Sequence, residues 1–153
     1  MGAVNLKATG HKQLAHMSDA WIEAWGPSLE AAFLASAAGL LSVITDLRRV
    51  KRRITVNVPA LKDIDLEGLL YSWLEYVLIR FETERLILPK GSITIRTSGG
   101  GNGNYLMLTG RLEGEAFDPG RHLLRREVKA VTYHQMEVSR INDIYRIRFL
   151  LDL

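Results

Sequence analysis

Two acidic residues that lie far apart in the sequence are candidate ligands of a metal ion. Asp152 stands next to Leu153 at the end of an alternating apolar segment, 145–153, which has the period of a β-strand. Asp19 closes the short stretch 16–19. If the fold brings both carboxylates to the terminal oxygens of Leu153, the group suits a hard cation such as Ca²⁺ or Mg²⁺. Spacing alone favours the simpler alternative, which is a solvated terminal Asp152.

Lys129 is a second candidate functional residue. It lies in the segment 127–134, whose valine, threonine and tyrosine residues favour a β-strand. A long charged side chain is unfavourable inside a strand unless it is paired or exposed. The sequence therefore leaves two interpretations of Lys129 open, a functional amine and a solvent-facing side chain.

The other polar motifs do not form a recognisable catalytic site. The four histidines are dispersed and lack the i,i+4 spacing of helical metal ligands: His11, His16, His122 and His134. A glycine run at 98–104 lacks the Gly-Lys-Ser/Thr of a phosphate-binding loop, so it indicates a flexible hairpin loop.

Basic residues form two clusters, one at Arg48–Arg53 and one at Arg121, Arg125 and Arg126. Such clusters can contact phosphates. They lack the interleaved aromatic residues that single-strand binding requires. A solvated loop or a protein-docking surface is therefore the favoured interpretation, with RNA binding as the alternative.

Composition indicates one soluble globular domain spanning residues 1–153, with residues 1–10 expected to be flexible. The chain is 47% hydrophobic and 24% charged, and its net charge of +3 is too small to require a nucleic acid partner. The absence of cysteine excludes disulfides and thiol catalysis. The longest apolar run, 31–44, is too short to cross a bilayer, and we see no signal peptide. We therefore expect a cytoplasmic protein without a membrane partner.

The elements that must position these residues follow from apolar periodicity. Two helices are predicted, one that begins near Leu29 with Ser28 as its N-cap and one over 66–81 with Asp65 as its N-cap. Strands are predicted at 20–25, 54–58, 92–97, 105–114, 127–138 and 144–153, with Pro59 ending the second. This order predicts an α+β domain with two α-helices packed on one largely antiparallel β-sheet.

Several blocks of the sequence, taken in order, resemble the archease family. The segment His16-Met17-Ser18-Asp19 resembles the family's His-Thr-Ala-Asp signature, and the end of the chain resembles its closing Asp-Ile. Further blocks that resemble the family lie at 25–33, 66–84 and 127–134, the last being the most specific.

The resemblance implies a function that the residues alone do not. Archeases are non-enzymatic accessory proteins of the RtcB-type tRNA-splicing ligase, and they promote its guanylylation and multiple turnover. By resemblance, Asp19, Asp152 and the main chain of Leu153 would bind a divalent metal ion, typically Ca²⁺, and Lys129 would take part in ligase activation. The partner would be the RtcB-type RNA ligase, and RNA would be reached only through it.

The sequence departs from the family pattern near the proposed metal site. The departures are at Lys12, Gln13, Ala15, Met17 and Ser18, where acidic groups or the usual signature residues are replaced. Two alternatives to the ligase activator stay open, an RNA-binding module that uses Arg48–Arg53 and a metal-dependent hydrolase.

Overall fold

The computed structural model of the chain describes residues 8–14, 18–101 and 103–153. Within these ranges, seven strands and two α-helices follow one another in this order: β1 Gly10–Leu14, β2 Asp19–Gly26, α1 Leu29–Ile44, β3 Ile54–Asp63, α2 Leu66–Glu84, β4 Leu86–Gly100, β5 Gly103–Ala116, β6 Ala130–Ile141 and β7 Ile144–Asp152. A single 3₁₀ turn, Leu47–Arg49, lies between α1 and β3. The first seven of the ten residues expected to be flexible lie outside the described residues, and Gly10 already belongs to β1.

The strands form two antiparallel sheets. One has the order β1-β2-β7-β6 and the other the order β3-β5-β4. The predicted α+β class with two helices is confirmed, but the single sheet that we expected is divided in two. The division arises because each of the two long hairpins pairs with a different further strand. The β4–β5 hairpin pairs with β3, whereas the β6–β7 hairpin pairs with β2.

Helix α1 begins where its N-cap predicts and packs closely on β2. The Ser28 hydroxyl accepts a hydrogen bond from the Ala31 N–H at 3.0 Å, which satisfies one free donor of the first turn. A Cβ atom on Gly39 would lie 2.8 Å from the side chain of Ile22. Glycine at this position therefore sets how closely the helix approaches the four-stranded sheet.

Helix α2 has the broad apolar face that the sequence predicts. The Asp65 carboxylate accepts from the Gly68 N–H at 2.7 Å and caps the helix. The buried residues of α2 follow the helical period: Gly68, Leu69, Leu70, Trp73, Leu74, Val77, Leu78 and Phe81. The indole N–H of Trp73 donates to the Phe33 carbonyl at 2.8 Å, which ties α2 to α1 in the core.

Strands β2 and β7 alternate between an inner and an outer face. Their inner residues are at most 1% exposed and belong to the core: Ala20, Ile22, Ala24, Ile147, Phe149 and Leu151. Because successive side chains of a strand point to opposite faces, Asp19 and Asp152 lie on the outer face, away from the core. No described helix is both long and apolar enough to cross a membrane.

Several strand boundaries differ from the sequence-based prediction. Strand β4 begins at Leu86 instead of 92, and β1 was not predicted. Strand β3 continues past Pro59, because a bulge between Val58 and Leu61 removes the ladder bond that proline cannot donate. The β4–β5 pairing extends to Gly100 and Gly103, so most of the expected glycine loop is strand. Strand β6 covers Ala130–Ile141 instead of 127–138, which places Lys129 just before the strand.

Candidate functional site

Asp19 and Asp152 are directly opposite each other in the antiparallel pair of β2 and β7. The neighbouring main-chain bond, from the Leu153 N–H to the Ser18 carbonyl at 3.3 Å, shows which kind of pair they form. Because residues 18 and 153 share the hydrogen bond, residues 19 and 152 form a non-hydrogen-bonded pair. In such pairs the Cα atoms are about 4.5 Å apart and the side chains come closest.

Among the described residues, no basic side chain is close enough to the two carboxylates to form an ion pair that would offset their repulsion. Within the described ranges, neither Asp19 nor Asp152 has a Lys, Arg or His nitrogen within 4.0 Å. Like charges at directly opposite positions destabilise an antiparallel pair. Asp152 is exposed and Asp19 is partly exposed, so a cation from solvent could reach both.

Lys129 reaches the same end of the sheet from a third segment of the chain. Its main-chain N–H donates to the Asp152 carbonyl at 2.8 Å, and the next residue, Ala130, is opposite Asp152 in the β6–β7 pair. The Lys129 side chain is exposed and makes no ion pair in the described part of the chain. The placement of Lys129 inside a strand was wrong, because the residue precedes β6. Its exposed side chain agrees with one of the two interpretations that the sequence left open.

The structure thus brings together all four residues that the sequence singled out. Asp19, Lys129, Asp152 and Leu153 come from three segments and are joined by main-chain contacts at one end of the four-stranded sheet. Two of the signature residues, His16 and Met17, lie outside the described residues, as does Ala15.

This arrangement fits a divalent cation in part. Two opposed carboxylates supply the oxygen ligands that Ca²⁺ prefers. No group of three or more His, Cys, Asp or Glu side chains that could hold a metal ion occurs among the described residues. A cation at Asp19 and Asp152 would therefore need main-chain oxygens, such as that of Leu153, and water to complete its six to eight ligands.

A second polar cluster, which the sequence did not reveal, surrounds the buried Glu115. Its carboxylate accepts from the Lys51 N–H at 2.8 Å and from the side chains of Arg121 and His122. Burial would raise the pKa of Glu115, but these hydrogen bonds outweigh it and lower the pKa to about 2. The ring of His122 accepts at Nδ1 from the Asp118 N–H, so its Nε2–H donates to Glu115.

The Glu115 cluster is structural. It fixes the loop after β5 against the segment before β3, and a further main-chain bond runs from the Arg125 N–H to the Ile44 carbonyl at 2.7 Å. No local pattern could have predicted it, since Lys51 lies 64 positions before Glu115 in the sequence.

A groove beside α1 is separate from the acidic pair. It has a volume of about 870 Å³ and is lined in part by residues of α1, including Leu34 and Ala38. Arg48, Arg52 and Lys90 also line it. Neither Asp19 nor Asp152 lines it, so we assign the candidate site by side-chain chemistry and not by cavity size.

Comparison with known proteins shows which family the chain belongs to. The sequence profile of the Archease protein family (MTH1598/TM1083) matches residues 11–153. The chain belongs to the archease family. Among curated archeases, the protein of Sulfolobus acidocaldarius is 35% identical over 138 residues, which cover 90% of this chain and 94% of that protein. The archease of Pyrococcus furiosus is 37% identical over 128 residues, covering 84% of this chain and 87% of the relative.

Solved structures show the same archease fold. The solution structure of Methanobacterium thermoautotrophicum protein 1598 superposes with a TM-score of 0.76 at 30% identity, covering 94% of this chain and 99% of that one. An archease from Thermotoga maritima, described as a possible chaperone, has a TM-score of 0.51 at 17% identity and covers 93% of this chain and 96% of that one. At that identity the second likeness concerns the fold alone.

Proposed function

We propose that this archease is a non-catalytic activator of an RtcB-type RNA ligase. It would promote guanylylation of the ligase and its multiple turnover in tRNA splicing or RNA repair, in the cytoplasm. Family membership supports the general role of an accessory protein. The observation that carries the finer proposal is the convergence of Asp19, Asp152 and Lys129 at one exposed end of the sheet.

The acidic pair would bind a divalent metal ion, with Ca²⁺ as the first candidate. Asp19 and Asp152 would supply carboxylate oxygens, and the main chain of Leu153 would supply a further one. A bound cation would neutralise the repulsion between the two side chains. Since the pair joins β2 to β7, that neutralisation would hold the end of β7 and the adjoining Lys129 in one arrangement for a partner.

Lys129 would act on the ligase directly. Its exposed ammonium is free to pair with a carboxylate or phosphate group of the partner, and its N–H keeps it next to Asp152. The proposed active surface is therefore the metal-linked acidic pair and the neighbouring amine, with no covalent step on this chain.

The test is ligation of RNA with a cyclic-phosphate end, with ligase well below the RNA concentration. Multiple turnover that appears only when this protein is added supports the proposal. Single turnover with and without it would contradict the proposal. Two further outcomes identify the alternatives, because loss of RNA without ligase would indicate a hydrolase, and an RNA gel shift without any effect on ligation would indicate a binding module.

A further inference from the structure

The two basic clusters of the sequence form one surface in the fold. Arg53 and Arg121 both contact the same oxygen of Glu115, the first at 3.4 Å. At a second point, Arg48 lies 2.7 Å and Arg125 lies 3.7 Å from one oxygen of Asp46. We call residues 46–53 together with 115–126 the composite basic surface.

The composite basic surface holds the positive excess of the chain. It contains eight basic residues and three acidic residues, a net charge of +5, whereas the whole chain carries +3. The rest of the molecule is therefore net negative. A surface of this charge attracts a polyanion in a way that the overall charge of the chain does not reveal.

Half of the basic side chains are held in place and half are available. Arg48, Arg53, Arg121 and Arg125 are anchored by the carboxylates described above. The other four are exposed and make no ion pair within the described ranges: Arg49, Lys51, Arg52 and Arg126. Anchored arginines keep spare N–H donors in fixed positions, which lowers the entropy lost when an anion binds.

The chemistry of this surface suits phosphate groups and does not suit unpaired bases. Its single aromatic residue other than His122 is Phe117. The ring of Phe117 packs edge-on against that of Phe81, with 6.0 Å between the ring centroids. Single-strand binding relies on aromatic side chains that stack on bases. Base-paired RNA is bound mainly through phosphates and 2′-hydroxyls, which charged and polar side chains can reach without stacking.

We propose that the composite basic surface binds the sugar–phosphate backbone of a base-paired RNA directly. This differs from the expectation that RNA is reached only through the ligase. The proposal concerns the isolated chain, so it holds or fails independently of ligase activation. An acidic protein is the competing partner. Leu123 and Leu124 are 67% and 55% exposed within the surface, and an RNA backbone offers no apolar group to pack against them.

The test is fluorescence anisotropy of the whole chain with a labelled RNA duplex of about 16 base pairs. For four backbone contacts, the affinity of wild type should fall about 100-fold between about 50 and about 200 mM salt. Arg52→Glu combined with Arg126→Glu should weaken binding at least about tenfold at low salt and make the salt dependence shallower. Both side chains are exposed, so the double variant should fold, which circular dichroism would verify.

Three controls decide the outcome. Arg96→Glu combined with Arg140→Glu makes the same charge change at exposed positions outside the surface, and its affinity should stay within about twofold of wild type. Equal weakening in this variant, or no binding by wild type at low salt, would overturn the proposal. A single strand of the same length that binds equally well would overturn the base-paired specificity. Two results together would assign the surface to an acidic protein instead. Polyglutamate at equal charge would displace the RNA duplex, and the double variant Leu123→Ser with Leu124→Ser would lose RNA binding.

Discussion

Asp19 and Asp152 occupy a non-hydrogen-bonded pair, the position at which side chains of antiparallel strands approach each other most closely. Two negative charges there oppose the pairing of β2 with β7. The end of β7 is consequently the part of the four-stranded sheet whose stability should respond most to cations in solution.

We predict that calcium raises the melting temperature of the wild-type chain in proportion to the logarithm of the free metal concentration. Binding to the folded state alone stabilises it by about 2.7 kcal/mol when the metal is at 100 times its dissociation constant. Asp19→Asn and Asp152→Asn should each abolish the response. Without metal, each should be unchanged or more stable, by up to about 1 kcal/mol, because the repulsion is gone.

Thermal melts across a Ca²⁺ titration would check this. Asp143→Asn is the matched control, since Asp143 is fully exposed in the β6–β7 hairpin and should leave the calcium response intact. A wild-type melting temperature that ignores Ca²⁺, Mg²⁺ and Mn²⁺ alike would contradict the shared-cation site.

Lys129→Ala should fold normally and lose ligase activation. The side chain is exposed, and the hydrogen bond to Asp152 comes from the main chain, which alanine keeps. The readout is multiple-turnover ligation, beside a melting curve that should not move. Lys62→Ala removes an exposed lysine from β3 and serves as the control. Full activation by Lys129→Ala would leave Lys129 with a solvating role only.

The Glu115 cluster predicts a loss of stability in acid. Because the folded-state pKa of Glu115 is about 2, below its ordinary value of 4.5, its contribution is complete above pH 4.5 and is lost as the pH falls towards about 2. Glu115→Gln should lower the free energy of unfolding by about 1.5–3 kcal/mol near neutral pH, since it weakens hydrogen bonds to a charged group. Urea unfolding should show that the difference in unfolding free energy between wild type and Glu115→Gln becomes smaller as the pH falls from 4.5 towards about 2. A difference in unfolding free energy that stays constant with pH would show that the ionised carboxylate does not contribute to stability.

Trp73→Phe should destabilise the core by leaving the Phe33 carbonyl without its donor. An unsatisfied buried acceptor costs about 1–3 kcal/mol, to which the smaller side chain adds a cavity. Urea denaturation would measure the loss. Trp21→Phe, on the half-buried outer face of β2, should cost much less. Similar losses in both variants would show that the bond from α2 to α1 is not significant.

Local signals made the helices predictable, whereas contacts between distant segments did not follow from periodicity. Helix α2 starts at Leu66 because its N-cap, Asp65, and its apolar period are both encoded in neighbouring residues. The pairing of Asp19 with Asp152 was indicated only by family resemblance, since no short pattern specifies which strands become neighbours. Strand ends were harder still, as β3 shows by passing through Pro59 with a bulge.

The Glu115 cluster was missed for a related reason. Glu115 directly follows the strand predicted at 105–114 and has no distinctive local pattern, and its contacts depend on the return of the loop that carries Arg121 and His122. The same return joins the two basic segments, which the sequence presents as unrelated clusters. Side chains whose partners lie in another segment can be interpreted only after that segment has been placed.

The central position of β7 has a consequence for how the chain folds. Strand β7 lies between β2 and β6, so β2 cannot be covered on that edge until a segment more than a hundred positions further along has been synthesised. During translation, the edge of β2 that later pairs with β7 would remain unpaired, next to the core residues Ala20, Ile22 and Ala24. Sheets with such sequence-distant pairing have a high contact order, fold slowly and are prone to aggregate before completion. We therefore expect ribosome-bound chains that lack β7 to be protease-sensitive, and protection to arise only when it emerges.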